Sequence, residues 1–369
     1  MKLTVDSSEL LSHLQAVSRV ASTRTALQAL SGVKLVAAAD GSELLATDME
    51  VGLRVPLTAD VTHPGEAVLP ARLLLDVVRA LPAAPLTVEL RPAEQDVELA
   101  CGSALFHLRT LRGEDFPALP TVDTATRVAL PTEVFVATVE RVARSASKDE
   151  TRPVLTGILI SATGSELRMV ATDSYRLSIG QARLETPLEG SIEANVPSRA
   201  LHELARLAQQ SESPEIAAGI GQNQIVFELD GTVLSSRVID GQFPNYRQLI
   251  PESVEHELRL STEELTGVVR RVSLLAQKNA PVRLAFAEGE LTVSATTPDI
   301  GEASETLPVP FHGERFEIGF NPEFLRDGLE SVDTDELVLK LISPLRPGLI
   351  ESPETGDFVY LVMPIRLNT

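Results

Sequence analysis

The chain repeats itself three times, and that repeat restricts its fold more than any local motif. An amphipathic helix buries Leu10, Leu14, Val17 and Ala21. Its successor would bury Phe135, Val139, Val142 and Ala146 at an offset of 125, and the third Leu265, Val269, Val272 and Ala276 at a further 130. A corner follows the same step: Thr47-Asp48-Met49-Glu50, Thr172-Asp173-Ser174-Tyr175, then Thr296-Thr297-Pro298-Asp299. A second helix opens at Leu69-Pro70, Val196-Pro197 and Phe320-Asn321, at offsets of 127 and 124. Independent landmarks that keep one period mark a repeated supersecondary unit. The fold class expected is α+β: three similar domains, each with two helices packed on antiparallel sheets. A chain of 369 residues has room for three such domains. Polar, Pro-containing stretches near 120–126 and 251–257 place the bounds at 1–122, 127–252 and 258–369.

Within each module the order reads helix, strand, strand, helix, then more strands. Turn residues between apolar runs predict hairpins at Asp40-Gly41, Thr163-Gly164-Ser165 and Glu288-Gly289-Glu290. Helical windows are expected at 5–24, 69–81, 131–148, 197–210, 261–278 and 321–331.

The formal charge of −20 argues at first against a polyanionic partner. Its distribution says more. The six helical windows hold 13 basic and 11 acidic residues, whereas the rest of the chain holds 19 and 41. The helices are the non-acidic part of an acidic protein. Arg141, Arg144 and Lys148 lie opposite the apolar stripe of their helix, as Arg270, Arg271 and Lys278 do in the third module. Arg72 and Arg79 repeat the arrangement in the short second helix, and Arg199 and Arg206 follow them at offset 127. A basic outer face is also what plain solvation produces. The same phase in several repeated helices is explained by one shared surface.

Catalytic chemistry is hard to find. The six histidines are scattered without metal-ligand spacing, and there is no Walker loop or G-x-S-x-G. Gly219-Ile220-Gly221 lacks the third glycine of a dinucleotide turn. The expectation is no catalytic residue, no metal and no cofactor. Cys101 is the only cysteine and reads as a strand residue, and its being alone favours a reducing compartment. No apolar run approaches a membrane span, and the first residues alternate like a strand. These features predict a soluble, cytoplasmic protein with no membrane partner.

Three longer stretches carry a resemblance: 170–177 (Val-Ala-Thr-Asp-Ser-Tyr-Arg-Leu), 240–247 (Asp-Gly-Gln-Phe-Pro-Asn-Tyr-Arg) and 361–367 (Leu-Val-Met-Pro-Ile-Arg-Leu), supported by 69–72 and Phe116-Pro117. Together, over essentially the whole chain, the sequence resembles the beta subunit of bacterial DNA polymerase III, the sliding clamps. The resemblance implies the DNA clamp fold, with two copies joined head to tail as a homodimer and six domains closing a ring around duplex DNA. It implies a non-catalytic processivity factor that binds DNA without sequence preference. Implied partners are polymerase subunits, the clamp loader and other clients with short linear motifs.

Residues matching the family's DNA-facing positions are Arg24, Arg72, Lys148, Arg152 and Arg199, to which helix phase adds Arg79, Arg144, Arg206 and Lys278. In the third module Glu323 and Glu330 stand where Arg72 and Arg79 stand, so that helix is expected to add little. A peptide-binding pocket between domains II and III is implied at Leu155, Thr172, Ser174, Tyr175, Arg176, Leu177, Pro244, Arg247, Leu249, Leu345, Leu361, Met363, Pro364, Ile365 and Arg366. Read without the resemblance, the terminal Val-Met-Pro-Ile is first of all a core strand. For the dimer seam, Phe106 and Leu108 match positions that meet Leu274 and Leu275 of the second copy. Ordinary strand and helix burial would also account for these four. Two other classes stay open at this point: a repeat scaffold that binds only proteins, and a hydrolase with an unrecognised site.

Overall fold

The computed structural model describes the chain except residues 23–24, 120–126, 222, 277–279, 354–355 and 368–369. Among the described residues there are six α-helices: α1 (Ser7–Val20), α2 (Ala71–Ala80), α3 (Thr132–Ala143), α4 (Ser198–Ala208), α5 (Thr262–Ser273) and α6 (Pro322–Leu329). Their ends follow from local chemistry. Asp6 closes the strand Lys2–Asp6 and caps α1, its carboxylate accepting from the Ser8 and Glu9 amides at 2.9 and 3.0 Å. Asn321 caps α6 in the same way, with Pro322 in the first turn where no amide partner is needed.

The chain divides into two compact units, Met1–Thr132 with Arg199–Val238, and Glu133–Ser198 with Ile239–Thr369. The first contains an eight-stranded sheet in the order Arg127–Pro131, Glu215–Ile220, Gln224–Leu229, Thr232–Arg237, Val51–Leu57, Ser42–Thr47, Gly32–Ala37, Gly65–Pro70. Its five-stranded sheet runs Asp60–His63, Lys2–Asp6, Pro85–Arg91, Asp96–Cys101, Ala104–Arg109. Helix α1 packs on α2 and on the two strands ending at the Thr47 corner. Leu10, Leu14 and Val17 are buried there as the apolar stripe predicts.

The second unit has the same plan. Its eight-stranded sheet runs Ser191–Pro197, Gly157–Thr163, Glu166–Thr172, Arg176–Arg183, Phe358–Val362, Gly348–Glu351, Glu336–Leu341, His256–Ser261. Its five-stranded sheet runs Gly301–Pro308, Glu290–Thr297, Val282–Ala287, Phe316–Phe320, Pro364–Ile365. Two glycines let helices touch strands. A side chain on Gly180 would stand 2.9 Å from both Thr138 and Val142, so α3 rests directly on its strand. On α6, a methyl at Gly328 would stand 2.4 Å from the Tyr360 ring. Helix propensity gives way there to a close approach.

The compact units do not follow the sequence modules, because the middle module contributes to both. The reason is strand pairing: Thr232–Arg237 extends the sheet of Val51–Leu57, and Arg176–Arg183 that of Phe358–Val362. Several strands had no sequence signal. Gly301–Pro308 is an edge strand with mostly exposed polar residues and no apolar alternation. Val51–Leu57 does alternate, with Val51, Leu53, Val55 and Leu57 on one face and Gly52, Arg54 and Pro56 on the other, but Pro56 interrupts the strand signal.

Candidate functional site

The Thr-Asp corners show why those residues recur. Thr47 Oγ1 donates to the Val51 carbonyl at 2.9 Å, and the Asp48 carboxylate accepts from the Glu50 and Val51 amides. One module on, Thr172 Oγ1 donates to the Arg176 carbonyl at 2.7 Å, and Asp173 accepts from the Tyr175 and Arg176 amides. Met49 and Ser174, third in each corner, adopt φ of 79° and 80°. The side-chain bonds hold residues that would otherwise avoid the left-handed region. The third corner departs from the expectation: Thr297 pairs with Gly301 across a shorter turn, and its hydroxyl donates to the Leu275 carbonyl at 2.6 Å.

The second corner presents Tyr175 to solvent, 61% exposed, and buries Arg176 to 7%. The Arg176 guanidinium reaches Asp173 at 3.1 Å and Asp327 of α6 at 2.5 Å. It also lies 4.3 Å over the Phe324 ring. Tyr175 stacks on Phe324 with centroids 6.5 Å apart, and its carbonyl accepts the Met363 amide at 2.8 Å. Tyr360 donates to the Phe324 carbonyl at 2.8 Å, and burial pushes its phenol pKa up against the pull of Arg176. Met363 is where the chain leaves one sheet at Val362 and enters the other at Pro364.

Beneath this corner lies a small apolar cluster of Val170, Leu177, Ile179, Tyr246 and Leu361, with Leu177 directly opposite Leu361 in the ladder. Arg247 lies over the Tyr246 ring at 5.3 Å. The expected pocket residues therefore divide in two. Tyr175, Leu249, Leu345 and Met363 are large exposed apolar groups, with Ser174, Pro244, Arg247 and Arg366 exposed beside them in sequence. Leu155, Thr172, Arg176, Leu177 and Leu361 are buried, so they support the surface and do not line it. Pro364 and Ile365 are half-buried and pair with Phe320 and Gly319 as a short edge strand, where the alternative reading expects a core strand. Phe324 and Asp327, which hold the corner, were missed. Asp327 could have been found, since it follows Glu203 by the repeat step of 124.

The cationic set also divides. Arg24 and Lys278 lie outside the described residues. Arg72 and Lys148 are exposed and make no ion pair with the described residues. Arg79 and Arg206 are exposed beside acids of their own helices, Asp76 at 3.5 Å and Glu203 at 3.9 Å. The other three are committed. Arg199 pairs with Asp48 and donates to the Arg19 carbonyl. Arg152 pairs with Asp149 and donates to Ser174. Arg144 pairs with Glu330 at 2.7 Å and with Asp327 at 3.7 Å. Glu330 also accepts from Arg270 at 2.9 Å. Partial burial would raise the Glu330 pKa, but the bonds from Arg144 and Arg270 outweigh it and hold the carboxyl below its usual range. The acid in the third module thus also quenches cations on α5 and just past the end of α3.

At the expected seam, Leu274 is 83% and Phe106 37% exposed. Leu108 is already buried in its own chain, opposite Val97.

Comparison with known proteins accounts for the whole chain. Family models described as the N-terminal, central and C-terminal domains of the DNA polymerase III beta subunit match residues 1–120, 129–245 and 247–366. The beta sliding clamp of Streptomyces coelicolor is 33% identical over 379 residues, covering 100% of both chains. The DNA polymerase sliding clamp of Bacillus subtilis superposes with a TM-score of 0.92 at 28% identity, again with 100% of both chains covered. A DnaN sliding clamp from Pseudomonas aeruginosa, solved bound to griselimycin, gives a TM-score of 0.90 at 29% identity with 100% of both chains covered. With three successive domain matches and full-length relatives, the chain belongs to the DNA polymerase III beta subunit family, the processivity clamps of that polymerase.

Proposed function

We propose that two copies of this chain, each of three domains at 1–122, 127–252 and 258–369, close head to tail into a ring around duplex DNA. The ring slides on the duplex in the cytoplasm, performs no catalysis, and tethers polymerases and other clients. The observation that carries this reading is the charge partition: the helical windows are net basic within a chain of formal charge −20. An acidic exterior repels DNA and leaves the helical faces as the favourable place for phosphates. Contacts to phosphate carry no base information and weaken with salt, which suits a tether that must move. Arg72, Lys148, Arg79 and Arg206 form the most available set. Arg144, Arg152 and Arg199 would have to share their charge with carboxylates already bound to them.

Clients would lay a short apolar motif against Tyr175, Leu249, Leu345 and Met363. Met and Leu adapt to different side chains, and the buried Leu177–Leu361 floor keeps the surface in place. Arg247 and Arg366 would orient the peptide through its acidic or carbonyl groups. A clamp loader would use the same surface during assembly.

The test is retention on DNA of two topologies. Loaded protein is expected to stay on closed circles and to run off linear duplexes with free ends. Equal loss from both would remove the ring reading and leave a protein-only scaffold.

A further inference from the structure

Arg152 joins the cationic face to the corner that carries Tyr175. Its guanidinium is 44% exposed and makes two bonds of unequal strength. Nε donates to Asp149 Oδ2 at 3.0 Å, and Nη1 donates to the Ser174 hydroxyl, also at 3.0 Å. Bonds from the Thr151 hydroxyl and amide, and then from Arg152, hold the Asp149 carboxyl below its usual range, so it stays a fixed anion. A bond between two charged groups is stronger than one to a neutral acceptor, roughly by a factor of two. The bond to Ser174 is therefore the one that a competing anion displaces.

Several amides report on this corner. The Ser174 amide donates to Thr172 Oγ1, those of Tyr175 and Arg176 to Asp173, and that of Met363 to the Tyr175 carbonyl. Ser174 itself stands at φ 80°, a conformation that its side-chain and backbone partners maintain. The first corner is built alike up to this point: the Arg237 amide donates to the Glu50 carbonyl at 2.9 Å, as Met363 does to Tyr175 at 2.8 Å. The single turns Gln28–Ser31 and Pro153–Thr156 also correspond, at an offset of 125. At the same offset Leu27 takes the place of Arg152 and Met49 that of Ser174, and both are exposed. Of these two corners, only the one that displays Tyr175 and Met363 to solvent has the arginine–hydroxyl link.

Resting on the DNA-encircling reading above, we propose that Arg152 is a positioning residue that couples phosphate contact to the client surface, with a negative sign. A phosphate that takes Arg152 Nη1 strips Ser174 of a partner, and the corner that sets Tyr175 and Met363 loosens. Coupling is reciprocal, so a client that holds the corner fixed also keeps Arg152 on Ser174 and weakens its DNA contact by the same factor. A ring carrying a client then drags less on the duplex than an empty one. One net hydrogen bond at an exposed site sets the size of the effect, about threefold.

The test is hydrogen exchange of residues 172–176 and 363 in the full chain, with and without a saturating short blunt duplex at low salt, whose binding is read by anisotropy. Duplex should speed exchange of these amides about threefold in wild type, the opposite of the slowing that a bound ligand ordinarily produces. In Ser174→Ala the corner should exchange at the faster rate from the start and answer no further to duplex. Arg152→Gln, which leaves the corner's own residues intact, should do the same. The two variants should part in DNA affinity: Ser174→Ala gains up to about threefold because Arg152 is no longer shared, and Arg152→Gln loses. A merely structural role would move both the same way. Exchange that is unchanged or slower when duplex is bound, or an acceleration that persists in both variants, would overturn the coupling and leave the ring reading standing. A duplex that shows no binding to wild type at low salt would instead remove the DNA reading itself.

Discussion

Replacing Arg176 should damage the second unit more than any exposed arginine could. Its guanidinium is 7% exposed, bonded at 3.1 Å to Asp173 and at 2.5 Å to Asp327, and the carboxylates of both acids are 14% exposed. Arg176→Ala leaves Asp173 without its counter-ion and Asp327 with only Arg144 at 3.7 Å, and removing one partner of a buried pair costs about 3–5 kcal/mol. The lost stacking on Phe324 adds about 0.5–1 kcal/mol. The cost should fall where Arg176 acts, on the corner 172–176 and on α6, which Arg176 connects. A chain of several domains does not unfold in one step, so the proper assay is native-state hydrogen exchange of those amides. The double variant Arg176→Ala with Asp327→Ala should cost less than the sum of the singles by more than about 1 kcal/mol, because the second change removes the stranded charge. Arg176→Lys keeps the charge but not the two-carboxylate fork, and should fall between wild type and Ala. An Arg176→Ala change below about 1 kcal/mol, or strict additivity with Asp327→Ala, would refute the reasoning.

Arg72→Glu with Lys148→Glu should weaken DNA binding and flatten its salt dependence, each lost phosphate contact lowering the log–log slope by about 0.9; fluorescence anisotropy over a salt series measures it, and an unchanged slope means the two face elsewhere. Met363→Ala with Leu249→Ala should reduce the affinity of a client peptide about tenfold or more in calorimetry while leaving the mass of the assembly unchanged, because both side chains are exposed. Glu330→Gln should destabilise α6 by about 1 kcal/mol at neutral pH through loss of its bonds to Arg144 and Arg270. Because the folded pKa of Glu330 is depressed, its contribution is complete above the ordinary glutamate value of about 4.3 and disappears as pH falls through the lower folded value. Wild type and variant should thus converge in acid, and the freed arginines should raise DNA affinity at low salt. A stability gap independent of pH would contradict the assignment.

The amino-acid sequence by itself determined the repeat, the six helices and their buried stripes, the first two Thr-Asp corners and the three hairpins, because each is written in local periodicity and turn chemistry. Tyr175, Leu249 and Met363, named through the resemblance of contiguous stretches, are exposed in the structure, as the proposed client surface requires. Only the tertiary structure decided how the charges are spent. Arg19 and Glu203 are 184 residues apart, and Arg144 and Glu330 are 186. No helix phase reveals that such residues meet, since the meeting depends on Thr232–Arg237 joining Val51–Leu57 and on Phe358–Val362 joining Arg176–Arg183. Periodicity tells which way a side chain leaves its own helix. Whether an acid waits within bonding distance is set by strand pairing across modules, and ion pairs depend on ångströms that only the folded chain supplies.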